Sequence, residues 1–443
     1  MNNLKNSNIV LINLIIVSII PFLIWGPFFP DLIVSASALF FLYYVIKKKF
    51  FYFFYNKPLI IFFIFCIYCI LLSLFVAEDM MLSFENSLFY FRIGVFSCFI
   101  WYLIDKDKSI LTYFYYALIL CFSALVIDGY FQYFTGKNLV GFKISGIRVS
   151  SFFGDELIMG SYLSRLFPLL FALFLVKQKQ KFEIYFIGFL FILIDVLIYM
   201  SGERTAFFFL NVSTVFIIIL IKEYQKFRLV TFIIAIICVF VLSLNSPGLT
   251  NRMFLGPAEE MGIIKIKKTA EAEDMGAIKS KKIIEAEDMG AIKSKRNLII
   301  FSSEHNRLYR TAYNMFKDQP LIGHGPKMFR VLCKDEKYAV GNKRCMQHPH
   351  NFYAQLLAET GIIGFLFLFS AFSYVLYTSL RQLKSIIFKQ KRFLTDYQVC
   401  LLSGILISVW PFSPNGNFFG NWLMIAYSLP VGFYLQSIFS KNR

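Results

Sequence analysis

IMGSYLSRLFPLLFALFLVKQKQKFEIYFIGFLFILIDVLIYMSGERT, residues 158–205, contains the repeating unit of this fold. Residues 158–176 and 182–201 are apolar runs, each long enough as a helix to cross a hydrocarbon core of about 30 Å. Between them stand Lys177, Lys179 and Lys181, and after them comes the polar link Ser201-Gly-Glu-Arg204. Short basic loops stay in the cytoplasm, which places the Ser201–Arg204 link on the opposite face.

The pattern recurs along the chain. Residues are 58% hydrophobic and only 16% charged, against about a quarter charged in soluble domains, which excludes a soluble enzyme. Apolar runs fall near 9–25, 28–46, 58–77, 87–104, 110–134, 158–176, 182–201, 205–221, 229–245, 359–380, 397–412 and 418–438. The fold class is therefore all-α, a polytopic membrane protein with about twelve transmembrane helices and one large periplasmic loop. The net charge of +18 does not indicate nucleic acid. Lysines and arginines cluster in short loops at 47–49, 177–181, 222–228 and 381–392 and in the tail at 441–443, as topology requires. The many lysines of the long loop after residue 245 do not oppose it, because long loops translocate largely regardless of charge. The first apolar run continues to Trp25 without a small-residue cleavage site, so it is expected to remain as a span, with both termini cytoplasmic.

The expected organisation is transmembrane helices 1–9 over residues 1–245, a periplasmic loop over 246–358, and helices 10–12 over 359–443. Within the loop, EAEDMGAIKSK occurs at 271–281 and again at 285–295, with a degenerate copy at 258–268. The period of fourteen residues is two heptads, and the composition favours a partly helical or disordered surface insertion without a catalytic role. Cys333 and Cys345 share the loop, where an oxidising compartment permits a disulfide. No CxxC pair accompanies them, so zinc is not expected.

Four polar sets lie at the expected outer boundary. Arg204 in Ser201–Thr205 is either an interfacial arginine or a planar fork for a phosphate. Arg307, Arg310 and Tyr313 share one side of an amphipathic helix before the turn at Pro320–Pro326. Arg148, Asp155, Glu156 and Arg165 flank the smaller loop at 135–157, and Arg165, inside an apolar run, requires a partner such as an internal carboxylate or a phosphate. Finally, HPHN at 348–351 places two of the four histidines before a helix, with Gly361 and Gly364 at close helix-packing positions. His350 is a candidate general base. Helix capping is the plainer reading of this stretch, and a metal lacks an evident third ligand.

Together these motifs resemble the O-antigen ligase and polymerase superfamily of bacterial membrane glycosyltransferases. His350-Asn351, nine residues, then Gly361-Ile-Ile-Gly364 match the ligase signature in full. Arg307…Asp318-Gln-Pro320-Leu-Ile-Gly323-His-Gly325 looks like the upstream loop element, and SGERTAFF at 201–208 is similar to the element opening the span before the loop. The resemblance implies a fold like that of GT-C glycosyltransferases. It also implies inverting, metal-independent transfer of a glycan from undecaprenyl diphosphate to lipid A–core on the periplasmic side, with no cofactor. In this reading His350, Arg204 and Arg307 are catalytic, and Arg310, Arg148, Arg165, Asn351 and His348 bind substrate. A polymerase using the same donor, a protein O-glycosyltransferase and a lipid-glycan transporter are the alternatives.

Overall fold

The computed structural model describes residues 6–177, 180–261, 301–341 and 345–440. Among the described residues ten helices are long and apolar enough to cross a membrane: α1 (Asn8–Trp25), α2 (Phe28–Lys48), α3 (Lys57–Phe75), α4 (Met80–Lys106), α5 (Ser109–Thr135), α6 (Met159–Val176), α7 (Lys181–Met200), α9 (Gln225–Asn245), α11 (Phe352–Ile387) and α13 (Asn421–Phe439). Two shorter apolar helices, α8 (Arg204–Leu220) and α12 (Asp396–Ser408), complete a multi-pass bundle. One amphipathic helix, α10 (Ser303–Asp318), lies in the large loop. Residues 262–295, which hold both full repeats, lie outside the described residues; ahead of them Gly256–Glu260 forms a short helix.

Local chemistry sets the helix starts. The Asn56 side chain accepts from Leu59 N at the head of α3, with a proline in the first turn. Ser302 accepts from His305 N at the head of α10. In the bundle, the Arg228 guanidinium meets Asp195 Oδ2 at 2.9 Å and donates to Thr214 Oγ1 at 2.7 Å, with the Phe167 ring 4.5 Å away. This buried pair ties α7, α8 and α9 together, because neither charge has water to turn to.

Two expected elements differ. The span expected near 87–104 begins at Met80, with a first piece Met80–Phe89 before the membrane piece Phe91–Lys106. The span expected near 359 begins at Phe352 and breaks at Gly361, which has φ 64°. Gly361 is therefore not a helix-packing contact. The turn at 320–325 enters the break, where Ile362 N donates to the Pro320 carbonyl (2.9 Å), His324 N to Ala358 (3.2 Å) and Gly325 N to Glu359 (2.7 Å). A Cβ on Gly323 would stand 2.5 Å from the Glu359 carbonyl carbon, and one on Gly361 2.4 Å from that of Leu321. Only glycine permits both the backbone angle and the approach.

Candidate active site

Asn351 starts α11. Its Oδ1 accepts from Tyr353 N and Ala354 N, at 2.9 and 3.0 Å, and its Nδ2 donates to the Pro411 and Ser413 carbonyls. The side chain is buried and its hydrogen-bonding capacity is filled, so the substrate-binding role expected for Asn351 gives way to capping. The 411–419 loop between α12 and α13 grips this helix start at further points. Asn415 N donates to the His350 carbonyl at 2.7 Å, and Gln355 bridges Asn417, Phe418 N and the buried Glu359. His350 is held at φ 58°, in the left-handed region that a non-glycine residue adopts only under constraint.

That constraint presents the ring of His350 to two others. Its centroid is 4.3 Å from that of His348 and 5.7 Å from that of His305, the latter edge-on. Three of the chain's four histidines thus meet at one place. His305 is anchored through Nδ1 to Ser302 Oγ at 2.7 Å. Burial and then the neighbouring His305 hold His350 below the ordinary histidine range, and burial, with His350 and Arg330 nearby, pushes His348 down to about 3. Both rings are neutral at pH 7 and can accept a proton. Both ring nitrogens of His348 are buried without a partner. Among the described residues no three His, Cys, Asp or Glu side chains are disposed to hold a metal ion.

Beside the histidines lies a cluster of arginines built on backbone carbonyls. Arg204 Nε donates to the Arg252 carbonyl at 2.7 Å, Arg252 Nε to Gly202 at 2.9 Å, and Arg148 Nε to Ser201 at 3.0 Å. Each anchor fixes a fork in place. Among the described residues the terminal nitrogens of Arg204 and Arg252 make no hydrogen bond, while Arg148 Nη2 donates to Leu157. Burial holds His305 below the ordinary histidine range, opposed by Glu260 and Glu304 and aided by Arg204, while burial and then Arg252 lower Arg148. Beneath them the Glu203 carboxylate accepts from Gly160 N and from Ser161 N and Oγ, capping α6.

Other expected site residues fall elsewhere. Arg165 is buried, as expected, but its partners are neutral: the Tyr427 hydroxyl at 2.9 Å, Asn415 Oδ1 at 3.4 Å and the ring faces of Phe209 and Tyr427. Its guanidinium secures the loop that holds His350, in place of the carboxylate partner that a buried arginine was expected to need. Arg307 forms an i,i+3 pair with Glu304 at 2.5 Å and lies against Gly341. Residues two positions apart on a helix point about 160° apart, so Arg307 and His305 leave opposite edges of α10. Arg310 and Tyr313 are exposed. Cys333 and Cys345 form a disulfide, with Cα atoms 5.4 Å apart.

Sequence reasoning missed His305, Arg252, Arg330 and Asn415. A signal existed for His305, a quarter of the chain's histidines on a polar helix just before Arg307. None existed for Arg252 or Asn415, which matter only through contacts across the chain.

Residues 187–369 match the family model described as O-antigen ligase, a span running from α7 through Arg204, Arg252, the three clustered histidines and the break in α11. No curated protein matches the chain.

Proposed function

We propose that this chain, a member of the O-antigen ligase superfamily, is a membrane glycosyltransferase that moves a glycan from undecaprenyl diphosphate to a hydroxyl of lipid A–core at the periplasmic boundary. The observation that carries the reading is the neutral histidine cluster set beside two arginine forks without described hydrogen bonds. A lipid diphosphate is a planar-fork ligand, and its negative charge grows as it leaves. In the proposed step, His350 takes the proton of the acceptor hydroxyl and that oxygen bonds to the anomeric carbon. The bond from that carbon to the diphosphate oxygen breaks, and Arg204 and Arg252 stabilise the departing anion. Attack opposite the leaving group inverts the linkage. His348 and His305 flank the base, and Arg148 completes the positive rim. Arg307, held by Glu304 on the other edge of α10, is assigned a lesser part, so Arg307→Ala costs less activity than Arg204→Ala.

The test is transfer from undecaprenyl-diphosphate glycan to purified lipid A–core by the full chain in nanodiscs, with chelator present. His350→Ala and Arg204→Ala should each lower the rate at least about a hundredfold, the lower bound for losing a general base, with insertion and abundance unchanged. Rates near wild type in either variant would refute the assignment. Elongated donor-linked glycan without core-linked product would make the protein a polymerase using the same donor.

A further inference from the structure

A cavity of about 480 Å³ opens at the loop end of the bundle, away from the arginine cluster. Glu85, Asn86 and Phe89 on the first piece of α4 line it, with Arg92, Asn421 at the head of α13, and Lys327 of the turn after Gly325. Its size lies within the roughly 300–1,000 Å³ of small-molecule sites. We propose that it binds the sugar end of the acceptor glycan. The identity of that glycan rests on the reading above; the site itself does not.

The lining argues for a hydroxyl-rich ligand. It mixes donors (Arg92, Lys327 and two amides) with the Glu85 carboxylate, which would repel a bare phosphate. Phe89 is about half exposed at the rim and offers a ring face for the apolar side of a sugar. Arg92 is held by Asp31 at 2.5 Å and by Ser35, and its Nε remains buried without a partner. An acyl chain would leave these polar groups unsatisfied, at a cost of about 1–3 kcal/mol each by mutational scales. One wall of the cavity lies within electrostatic range of a residue that also faces the histidines. Arg330, just beyond Lys327, is close enough to both Lys327 and His348 to disfavour their protonation, after burial in each case. A glycan seated here would have a path along Lys327 and Arg330 to the histidines.

The test measures binding of radiolabelled, delipidated core oligosaccharide to the full chain in phosphatidylcholine nanodiscs. Asn86→Trp, which fills the cavity, and Phe89→Ala, at an exposed position that leaves the packing alone, should each raise Kd about tenfold, or ~1.4 kcal/mol. Arg310→Ala, at an exposed position outside the cavity lining, should leave Kd unchanged, and glycerol phosphate should not compete. Equal binding by wild type and both cavity variants, no binding by wild type, or displacement by glycerol phosphate as a lipid headgroup would overturn the proposal. Cavity-dependent binding without transfer to lipid A–core would support the site while refuting the ligase reading.

Discussion

Gly323→Ala tests whether the turn at 320–325 docks into the break of α11 as described. At φ 68° an alanine costs roughly 1–2 kcal/mol for its left-handed backbone alone. Its Cβ would also stand 2.5 Å from the Glu359 carbonyl carbon and Thr360 N, and neither is the movable end of a side chain. The turn must then withdraw and surrender three interlocking backbone bonds, from Ile362, His324 and Gly325. With each worth roughly 0.5–1.5 kcal/mol, the total is about 2.5–6.5 kcal/mol. Gly136→Ala is the control: φ is 78° but nothing lies within 4 Å, so only the backbone term applies. Limited proteolysis in nanodiscs should show faster cutting within 301–341 for Gly323→Ala and not for Gly136→Ala, with transfer lost only in the former. Wild-type protection and transfer in Gly323→Ala would refute the interlock.

Three further outcomes follow from the same geometry. Because the base acts when neutral and burial holds His350 low, kcat/KM should stay flat down to about pH 6.5 and fall only below it; an acid limb above pH 7 would rule out His350. Reducing Cys333–Cys345, whose residues are 12 apart, should loosen the loop by about 3 kcal/mol, seen as faster proteolysis between them with insertion unchanged. Arg228→Leu should destabilise the bundle by roughly 3–5 kcal/mol, and adding Asp195→Leu should recover part of that, since the single change strands a buried charge. Thermal aggregation of detergent-solubilised protein measures both; a double variant weaker than either single would contradict the pairing.

Much of the architecture was legible in the chain because a bilayer reduces the problem to run length and loop charge. Two adjacent apolar stretches such as 158–176 and 182–201, with lysines between them, leave few other folds. His350 and Arg204 were legible as polar groups at boundaries where such groups are costly. The roles of Asn351 and Arg165 were not legible, for a physical reason. A cap and a loop anchor require the same residue types as a ligand contact, and only the positions of Pro411, Ser413, Asn415 and Tyr427 distinguish them.

The sequence by itself determined that the chain is a polytopic helical membrane protein, since that depends on local hydrophobicity summed over each segment; of the twelve spans expected, ten are helices long and apolar enough to cross and two are shorter apolar helices. What only the tertiary structure decided is which polar groups converge. His305 reaches His350 across the docked loop, and Arg252 meets Arg204 after the chain has crossed the bundle and returned. The left-handed angle at His350 is imposed by an amide donated from Asn415, far along the chain. Hydrogen bonds and ring contacts act over a few ångströms of space, and chain order alone does not specify which distant residues come that close.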